Sequence, residues 1–344
     1  MSDERPIKAV GLLSGGLDST LAVRVMLEQG IEVTALHFRT GFSYEERERV
    51  AGNRRHGPTE AERAATMLGV PLEIIDVSAG YLPVVLHPRY GYGSGMNPCI
   101  DCRIFLLRQA KAWMEEHGYH FVFTGEVVGQ RPKSQMRPTL NTVERESDLR
   151  GYLLRPLSAR LLPPTIPEQR GWVDRERLYA ISGRGRKEQI ALAKQFGITE
   201  YPQPYGGCCY LIDRTYARRL RDFLKHEGEA ALTLAQAQLL AVGRHLRLPT
   251  GRKVIVGRHE QENAYLETRC AEGVLLTTVD YPGPTTLMVG EPTREEIELA
   301  ARITAGYSDG KEATVVHVEV RRDKMSEVLA VAPLGRTEIE AWVV

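Results

Sequence analysis

One stretch near the start of the chain constrains the fold most: the apolar run Ile7–Leu13 leads directly into the loop Ser14–Thr20, which opens a helical pattern. A second apolar run, Ile31–Phe38, follows that helix and completes the layout of a β-α-β unit. The alternation continues through Leu72–Val77 and Tyr119–Thr124. Strands separated by helices favour a parallel sheet with helices on both faces. The sequence therefore predicts an α/β fold with a Rossmann-like parallel sheet.

The first loop has the composition of a phosphate-binding loop. Ligands of parallel sheets lie beyond the carboxyl ends of the strands, so a site is expected in the loops after Leu13, Phe38 and Phe123. Two glycines in the loop Ser14-Gly-Gly-Leu-Asp-Ser-Thr20 allow a tight turn, and the amides that start the next helix can surround an anion. The loop lacks the Gly-Lys-Ser/Thr of a Walker loop and the three-glycine spacing of a dinucleotide fingerprint.

Asp18 is unusual in such a loop because a carboxylate repels bare phosphate. Its presence is explained if Asp18 holds the Mg²⁺ that accompanies a triphosphate. The alternative is an ordinary glycine turn whose helix is capped by Asp18 or Ser19. The expected nucleotide contacts in this loop are Ser14, Gly15, Gly16, Asp18, Ser19 and Thr20.

Length and composition bound the architecture. A chain of 344 residues fits two or three domains. We expect a catalytic domain over residues 1–210, a helical linker over 211–250 and a small α+β domain over 251–344. With 42% hydrophobic and 26% charged residues, the composition excludes fibrous and disordered classes. No apolar run approaches the ~20 residues of a membrane-spanning helix, and the first residues do not have the layout of a secretory signal, so a cytoplasmic location is expected.

Charge is distributed unevenly, although the chain has 45 Lys+Arg and 44 Asp+Glu. Residues 131–187 hold 13 basic and 6 acidic side chains, and residues 242–258 hold 5 basic and no acidic ones. Residues 290–344 hold 7 basic and 11 acidic side chains. Concentrated basic stretches supply phosphate contacts in nucleic-acid binding, and a solvated loop surface is the alternative. The position of residues 131–187 between the glycine loop and Cys208 favours RNA.

Five cysteines are too few for a disulfide framework in a chain of this length. Cys99 and Cys102 stand just before a helix, whose N-terminus favours the thiolate form. Cys208 and Cys209 are adjacent and point in different directions, so only one is expected to join that pair. Three thiolates leave a coordination position open, which suits a 4Fe–4S cluster. A persulfide pair, a zinc site and a redox dithiol are the alternatives, and Cys270 is expected to be buried packing.

The glycine loop Ser14–Thr20 resembles the pyrophosphate loop of the PP-loop ATPases, and the resemblance covers roughly the first 210 residues. It implies a fold like that of the adenosine nucleotide alpha hydrolases. It also implies cleavage of ATP between the α- and β-phosphates, which activates a carbonyl oxygen as an adenylate. Adenine is then expected near His37 and Phe38, and the α-phosphate near Thr124 and Gly125.

The cysteine spacing resembles that of the tRNA thiolation enzymes of the PP-loop group, in which a Cys-x-x-Cys pair and a distant third cysteine hold a cluster whose open iron carries hydrosulfide. This resemblance implies that Cys99, Cys102 and Cys208 are metal ligands and, with Asp18, catalytic residues. Cys209 is the alternative third ligand. The segment around Cys99 is also similar to the bacterial tRNA 2-thiouridine synthetases, some of which use two cysteines and a persulfide. Cys99 stands where those enzymes often have an acidic residue, which favours the cluster over a Cys102–Cys208 persulfide.

The C-terminal part, from Val256 onwards, resembles the RNA-binding domain of NFACT-type proteins over about 90 residues. Arg258, Asn263 and Tyr265 are its candidate RNA contacts. In the catalytic part, three further side chains are expected either to contact nucleotide, Mg²⁺ or the target base or to brace their loop. These are Glu126, Gln130 and Arg131.

These features together predict ATP-dependent thiolation of a tRNA uridine, with ATP, Mg²⁺ and a 4Fe–4S cluster as cofactors. 4-Thiouridine is favoured over 2-thiouridine because the central and barrel domains typical of wobble 2-thiouridine enzymes are not recognised. The expected partners are tRNA and a sulfur donor, either sulfide or the product of a cysteine desulfurase, and a homodimer is left open. The alternatives are a PP-loop amidoligase that transfers nitrogen and a nonenzymatic RNA-binding protein whose loop only senses nucleotide.

Overall fold

The computed structural model describes residues 6–50, 57–202, 208–322 and 325–344. The chain forms two compact units, which we describe separately. The first comprises residues 1–40 and 56–208, and the second comprises residues 41–55 and 209–344. The chain therefore enters the second unit directly after the second strand, returns, and enters it again at residue 209. The three-part division predicted from the sequence stays a prediction.

Eleven strands in the described ranges form two sheets. Their bounds are β1 (Lys8–Leu12), β2 (Glu32–Arg39), β3 (Leu72–Asp76), β4 (Phe121–Thr124), β5 (Leu153–Leu154), β6 (Arg244–Arg247), β7 (Lys253–Val256), β8 (Gly273–Thr278), β9 (Thr286–Val289), β10 (Val316–Arg322) and β11 (Met325–Val331). The sheet of the first unit has the order β3-β2-β1-β4-β5, and all its pairs are parallel. β1 lies between β2 and β4, so the ends of β1 and β4 form a topological switch point. The predicted α/β fold with a Rossmann-like parallel sheet is confirmed.

The α-helices of the described residues are mostly short. Their bounds are α1 (Leu17–Glu28), α2 (Tyr44–Val50), α3 (Glu60–Leu68), α4 (Ser78–Leu86), α5 (Cys99–Glu116), α6 (Arg137–Glu146), α7 (Ile166–Gln169), α8 (Lys187–Gln195), α9 (Arg214–His226), α10 (Leu234–Leu239), α11 (Glu260–Glu267), α12 (Arg294–Gly306) and α13 (Arg336–Glu340). Local sequence explains their ends. Thr59 and Glu62 form a capping box at the start of α3, and Gly69 ends that helix in the left-handed conformation.

The central strand β1 is buried on both faces. Ala9 belongs to one apolar cluster and Val10 to another, because successive side chains of a strand point to opposite faces. A Cβ on Gly11 would lie 2.5 Å from the ring of Phe123, so a glycine in β1 makes room for a large side chain of β4. The helices that cover the two faces hold the strand ends, and the loops after them, in fixed positions.

The second unit is built on a six-stranded antiparallel sheet with the order β11-β10-β8-β9-β7-β6. α12 starts with a capping box of Thr293 and Glu296, and its buried face, with Ala300 and Ile303, joins the core of this sheet. The predicted small α+β domain is therefore present, with β6 beginning at Arg244 inside the stretch predicted as a helical linker. Across the described ranges, every helix is too short or too polar to cross a bilayer.

Candidate functional site

The loop between β1 and α1 is shaped by two glycines. Gly15 has a φ of +77°, and a Cβ there would lie 2.2 Å from the backbone carbonyl carbon of Glu60. Gly16 is the N-cap of α1 and has no side chain to cover the first amides of the helix. Ser19 Oγ and Thr20 Oγ1 donate to the carbonyl oxygen of Gly16 at 2.9 and 3.0 Å and brace the loop from within. A braced loop at the uncapped start of a helix is an arrangement that binds anions.

Asp18 lies in the first turn of α1, and its two carboxylate oxygens have different surroundings. Oδ2 accepts a hydrogen bond from Gln130 Nε2 at 2.9 Å and lies 3.4 Å from Arg186 Nη2. Oδ1 is buried and has no hydrogen-bond partner among the described residues. A buried polar atom without a partner is costly, and a hard cation such as Mg²⁺ would satisfy it. The carboxylate therefore fits the Mg²⁺ role predicted for Asp18, which stays a prediction.

The end of β4 lies against this loop. A Cβ on Gly125 would lie 2.5 Å from the backbone of Asp18 and 2.5 Å from the amide nitrogen of Ser19. Thr124, the last residue of β4, is buried. Because only a residue without a side chain permits this approach, Gly125 brings the β4 end to the first turn of α1. The α-phosphate position expected near Thr124 and Gly125 stays a prediction.

The residues predicted to lie near adenine are on β2. His37 Nδ1 lies 3.0 Å from the carbonyl oxygen of Leu13, so His37 binds the start of the glycine loop. Ser14 continues that loop, and its amide donates to Ser19 Oγ at 3.3 Å. Phe38 is half-buried and packs against the apolar cluster that contains Val10. Both β2 residues therefore lie at the carboxyl edge of the sheet, and their contact with adenine stays a prediction.

The segment after β4 is tied to residues 181–187. Val128 and Ser182 form a parallel bridge, and the amide of Gly183 donates to the carbonyl oxygen of Val128 at 2.8 Å. The buried Ser158 Oγ accepts from the amide of Val128 at 3.0 Å and donates to the carbonyl oxygen of Ile181 at 2.7 Å. These bonds fix the segment that leads to Arg186, the residue beside Asp18.

Glu126 is part of a buried ion-pair network. Its Oε1 lies 3.1 Å from Arg103 Nε, and its Oε2 lies 3.0 Å from Arg155 Nε. Arg155 also pairs with Glu144 at 3.0 Å. Burial opposes ionisation of Glu126, but the two guanidinium groups hold its pKa below the ordinary value. Of the two roles predicted for Glu126, these contacts support bracing of the loop.

The other two residues of that predicted set have different surroundings. Gln130 binds the carboxylate of Asp18. The charge of Arg131 acts on Cys99 and lowers the pKa of its thiol, although other influences outweigh it. The segment after β4 therefore sends one side chain to the glycine loop and places another near the cysteines.

Three cysteines of the first unit lie close enough to influence one another's ionisation. Cys99 begins α5, and Cys102 lies one turn later. The charge of Cys208 raises the pKa of both thiols. The side chain of Asn97 hydrogen-bonds Cys99, and that of Tyr81 hydrogen-bonds Cys102. The charges of the three cysteines predicted to share a site therefore act on one another, and both their shared site and their role as ligands stay predictions.

The thiols of α5 are difficult to ionise. Burial raises the pKa of Cys99, and the neighbouring Cys208 raises it further. Burial and then Cys208 raise the pKa of Cys102 to about 12, against the hydrogen bond of Tyr81 and the charge of Arg103. The expectation that the helix N-terminus favours the thiolate form is therefore wrong for this protein without metal, because burial outweighs the helix dipole.

The remaining two cysteines lie in the second unit. Cys209 is buried and forms a backbone bridge with Ser43. Gly206 and Gly207, which precede the cysteine pair in the predicted motif, lie outside the described residues. Cys270 is exposed, because it starts a 3-10 turn at the surface after α11, so the expectation of buried packing is wrong.

The fit of a metal centre rests on the chemistry of its donors. In the part of the chain that the structure describes, no three His, Cys, Asp or Glu side chains converge to hold a metal ion. The thiols of Cys99, Cys102 and Cys208 are the ligand type of iron–sulfur clusters, and bound iron would relieve the repulsion between their thiolates. The donor set fits a cluster in its chemistry, and no geometry for one is described.

The candidate RNA contacts of the second unit hold its own backbone. Arg258 Nε pairs with the buried Glu262 at 2.9 Å. Asn263 Oδ1 accepts from the amide of Thr285 at 3.0 Å. Tyr265 is half-buried, and the guanidinium carbon of Arg269 lies over its ring, 4.9 Å from the ring centroid. Each of these side chains has a structural contact, and RNA contact stays a prediction.

Sequence reasoning missed three residues of the site. Arg103 follows Cys102 directly and could have been identified from the sequence, since a cation next to a cysteine is a signal for thiol chemistry. Arg186 lies 168 residues from Asp18, and only the fold brings the two together. Tyr81 stands on α4 within an apolar pattern and gives no signal in the sequence.

Two family models of known proteins match the chain, one in its N-terminal half and one at its C-terminal end. Residues 7–167 match the family model described as tRNA methyl transferase HUP domain. This match agrees with the parallel sheet of the first unit. Residues 243–343 match the model described as NFACT protein RNA binding domain, which confirms the resemblance predicted from the sequence.

The chain is also similar to proteins named tRNA-specific 2-thiouridylase MnmA. The protein of Thermotoga petrophila is 28% identical, over 69% of this chain and 65% of that protein. The protein of Symbiobacterium thermophilum is 25% identical, over 71% and 63%. The chain thus spans less than two thirds of the length of these relatives. Among solved structures, a 4-thiouridine synthetase–RNA complex with bound ATP is 21% identical over 68% of this chain and 53% of that one, with a TM-score of 0.37.

Proposed function

We propose that the chain uses ATP to thiolate a uridine of tRNA. The observation that carries this proposal is the position of two adjacent residues after β4. Gly125 packs against the first turn of α1 at Asp18, and Glu126 pairs with Arg103, whose charge acts on the three cysteines. One short segment thus connects a phosphate-type loop with a group of thiols, which are the two components of an adenylation and sulfur-transfer reaction.

The first step is adenylation of the uridine. Residues 14–20 hold the phosphates, and Asp18 holds the accompanying Mg²⁺ through its unpartnered Oδ1. The uridine carbonyl oxygen attacks the α-phosphorus of ATP. The bond from this phosphorus to the bridging oxygen of the β-phosphate breaks, and pyrophosphate leaves.

The second step replaces oxygen with sulfur. Hydrosulfide attacks the activated carbon, the bond between that carbon and oxygen breaks, and AMP leaves with the oxygen. The proton of hydrosulfide ends on pyrophosphate or in solvent, so the exchange needs no oxidant or reductant. Cys99, Cys102 and Cys208 position the sulfur donor, and the charge of Arg103 beside them favours an anionic sulfur.

We propose that these three cysteines are the ligands of a 4Fe–4S cluster. When bound, the cluster would supply an open iron site for an inorganic sulfide donor. In the competing persulfide reaction, Cys102 carries the sulfur, a Cys102–Cys208 disulfide forms as sulfur is transferred, and a thiol reductant restores both thiols.

The identity of the thiolated product shows which of the two carbonyl groups of uridine reacts. We propose 4-thiouridine, the product favoured by the sequence. 2-Thiouridine is the second candidate, because the relatives carry the name 2-thiouridylase. Tandem mass spectrometry of digested tRNA against both isomers as standards separates them.

The reaction is tested with an unmodified tRNA transcript, Mg-ATP and sulfide under anaerobic conditions. We expect equal amounts of thiouridine, AMP and pyrophosphate, and we expect Asp18→Asn to abolish all three. Release of ADP in place of AMP contradicts the adenylation step. Ammonia-dependent change of the uridine without sulfur incorporation would instead identify a nitrogen-transferring ligase.

The cysteines are tested with four single variants after anaerobic reconstitution with iron and sulfide. We expect Cys99→Asp, Cys102→Ala and Cys208→Ala to lose the cluster absorption and thiolation together. Cys270→Ala, at an exposed position of the second unit, is the matched control and keeps both. If Cys99→Asp retains thiolation without a cluster, the two-cysteine persulfide reaction is correct and the cluster proposal is wrong.

A further inference from the structure

Arg186 has no role in the functions considered so far, although it is paired with the carboxylate of the glycine loop. Its Nη2 lies 3.4 Å from Asp18 Oδ2, and the two side chains are 27% and 17% exposed. The position is fixed at the backbone, because residues 181–183 are bonded to the segment after β4 through Val128 and Ser158. Arg186 itself is the N-cap of α8.

Arg186 is the weaker of the two partners of Asp18. Gln130 binds the same oxygen at 2.9 Å, whereas the guanidinium contact at 3.4 Å lies beyond the usual range of a good N–H···O bond. A divalent cation on this carboxylate would repel the guanidinium and compensate the negative charge that now attracts it. The cation would therefore release Arg186 while Gln130, which is neutral, keeps its bond.

A released guanidinium beside the glycine loop has one obvious ligand class. Arginine presents several N–H donors in a plane and matches the oxygen pairs of phosphates. Cleavage between the α- and β-phosphates places new negative charge on the departing pyrophosphate, and a cation aimed at that charge speeds the reaction.

We propose that Arg186 exchanges Asp18 for the β- and γ-phosphates when Mg-ATP binds, and that it holds the departing pyrophosphate. The inference rests on the proposed function, because it assigns a residue to the leaving group of the adenylation step. Gln130 keeps Asp18 oriented during this exchange. Arg186 is then a catalytic residue supplied by the start of α8, a part of the chain far from the loop in sequence.

Arg184 offers a matched control in the same segment. It carries the same side chain, lies two residues earlier and is exposed. Gly185, between the two arginines, has open space around it, so this part of the segment is not closely packed. Arg184→Ala and Arg186→Ala each remove one positive charge from the same segment, so a difference between them reflects the position of Arg186 beside Asp18.

The test measures pyrophosphate binding by calorimetry in the presence of Mg²⁺ and without tRNA. We expect Arg186→Ala to weaken binding of pyrophosphate about 10-fold or more, Arg186→Lys to weaken it less, and Arg184→Ala to leave it within about 2-fold of the original protein. Thermal unfolding of each variant confirms that it is folded. Equal pyrophosphate affinity in Arg186→Ala and the original protein overturns the proposal, and so does an original protein that binds no pyrophosphate.

A kinetic measurement separates this inference from the proposed function. In single-turnover adenylation of tRNA, we expect Arg186→Ala to lower the rate about 100-fold with little change in the tRNA concentration required. If the original protein binds pyrophosphate in an Arg186-dependent manner but adenylates no RNA, the proposed function fails and Arg186 remains a pyrophosphate ligand. If RNA is adenylated at the same rate with and without Arg186, the inference alone fails.

Discussion

Arg103 and Glu126 form an ion pair, with 3.1 Å between Nε and Oε1, that joins the cysteine helix α5 to the segment after β4. The carboxylate is 3% exposed and has a second guanidinium, that of Arg155, on its other oxygen. The guanidinium groups of Arg103 and Arg155 hold the buried carboxylate of Glu126 in place. The positive charge of Arg103 also acts on the cysteines. The pair therefore orders the backbone and sets the electrostatics of the thiols at the same time.

Replacement of the buried carboxylate tests the structural part of this arrangement. We expect Glu126→Gln to lower the free energy of unfolding by about 3 kcal/mol, because it leaves the buried guanidinium of Arg155 and the partly buried guanidinium of Arg103 with too little negative charge. Urea unfolding at pH 7 measures the change. Glu115→Gln, which removes the exposed partner of Lys111 on the same helix, should cost about 0.5 kcal/mol or less.

The same comparison has a defined pH dependence. The pKa of Glu126 is lowered in the folded protein, so its contribution is present above the ordinary value of 4.5 and is lost as the pH falls below it. The stability difference between the original protein and Glu126→Gln should therefore shrink in acid. A difference that stays constant from pH 7 to pH 3 contradicts the assigned ionisation.

Alkylation rates test the ionisation of the thiols. With a pKa of about 12 for Cys102, iodoacetamide at pH 8 should modify this residue at least about 100-fold more slowly in the folded metal-free protein than in urea. Peptide mass spectrometry resolves the individual sites. The exposed Cys270 serves as the internal control and should react at similar rates in both states. Fast modification of Cys102 in the folded protein would show that the thiol is more accessible and more acidic than described.

Gly125 tests the close approach of the β4 end to the glycine loop. An added Cβ would lie 2.5 Å from the backbone of Asp18, so Gly125→Ala must displace the first turn of α1. We expect a loss of about 1–3 kcal/mol in stability and, under the proposed function, at least about a 10-fold loss in pyrophosphate release. Gly185→Ala is the matched control, since its Cβ would meet open space. Normal pyrophosphate release by Gly125→Ala would argue against this loop as the phosphate site.

Lys253 provides a prediction in the second unit. The residue is 6% exposed, and its Nζ has no hydrogen-bond partner among the described residues. Burial, and then the charge of Arg247, lower its pKa from 10.5 to about 8. The unfolded chain therefore binds the proton more tightly, and stability should rise as the pH increases from about 8 to about 10.5.

Removal of this buried amine should stabilise the protein at neutral pH. We expect Lys253→Met to raise the free energy of unfolding by about 2 kcal/mol at pH 7 and to abolish the rise above pH 8. Urea unfolding over a pH series measures both effects. Lys225→Met, at an exposed position of α9, should change neither by more than about 0.5 kcal/mol. A destabilised Lys253→Met would indicate that the contact of Nζ with the ring of Phe223, 5.3 Å from its centroid, outweighs the cost of burying the amine.

Local sequence patterns predicted the parts of the site that lie close together in the chain. The glycine loop and its helix are encoded within the seven residues Ser14–Thr20, and the parallel sheet follows from alternating strands and helices. Contacts across the fold were not accessible in this way. The pairing of Asp18 with Arg186 and the hydrogen bond of Tyr81 to Cys102 depend on which loops and helices meet.

Burial was the second quantity that the sequence did not provide. A position at the start of α5 indicates a low thiol pKa, and the structure gives a high one because the surrounding protein excludes water. The prediction that Cys270 is buried was wrong for the opposite reason. Cys270 lies in the turn before β8 and not in the apolar strand itself, so its side chain is exposed. Both errors concern the environment of a side chain and not the secondary structure that carries it.

The insertion of residues 41–55 into the second unit limits how the chain can be divided. Tyr210 donates its hydroxyl to the carbonyl oxygen of Gly41 at 2.9 Å and its amide to the carbonyl oxygen of Phe42 at 3.0 Å. A fragment that starts at residue 209 would lack both acceptors and the bridge from Ser43 to Cys209. Truncation between residues 208 and 209 would therefore leave the amide and the hydroxyl of Tyr210 without these acceptors, so a fragment of the second unit also needs residues 41–43.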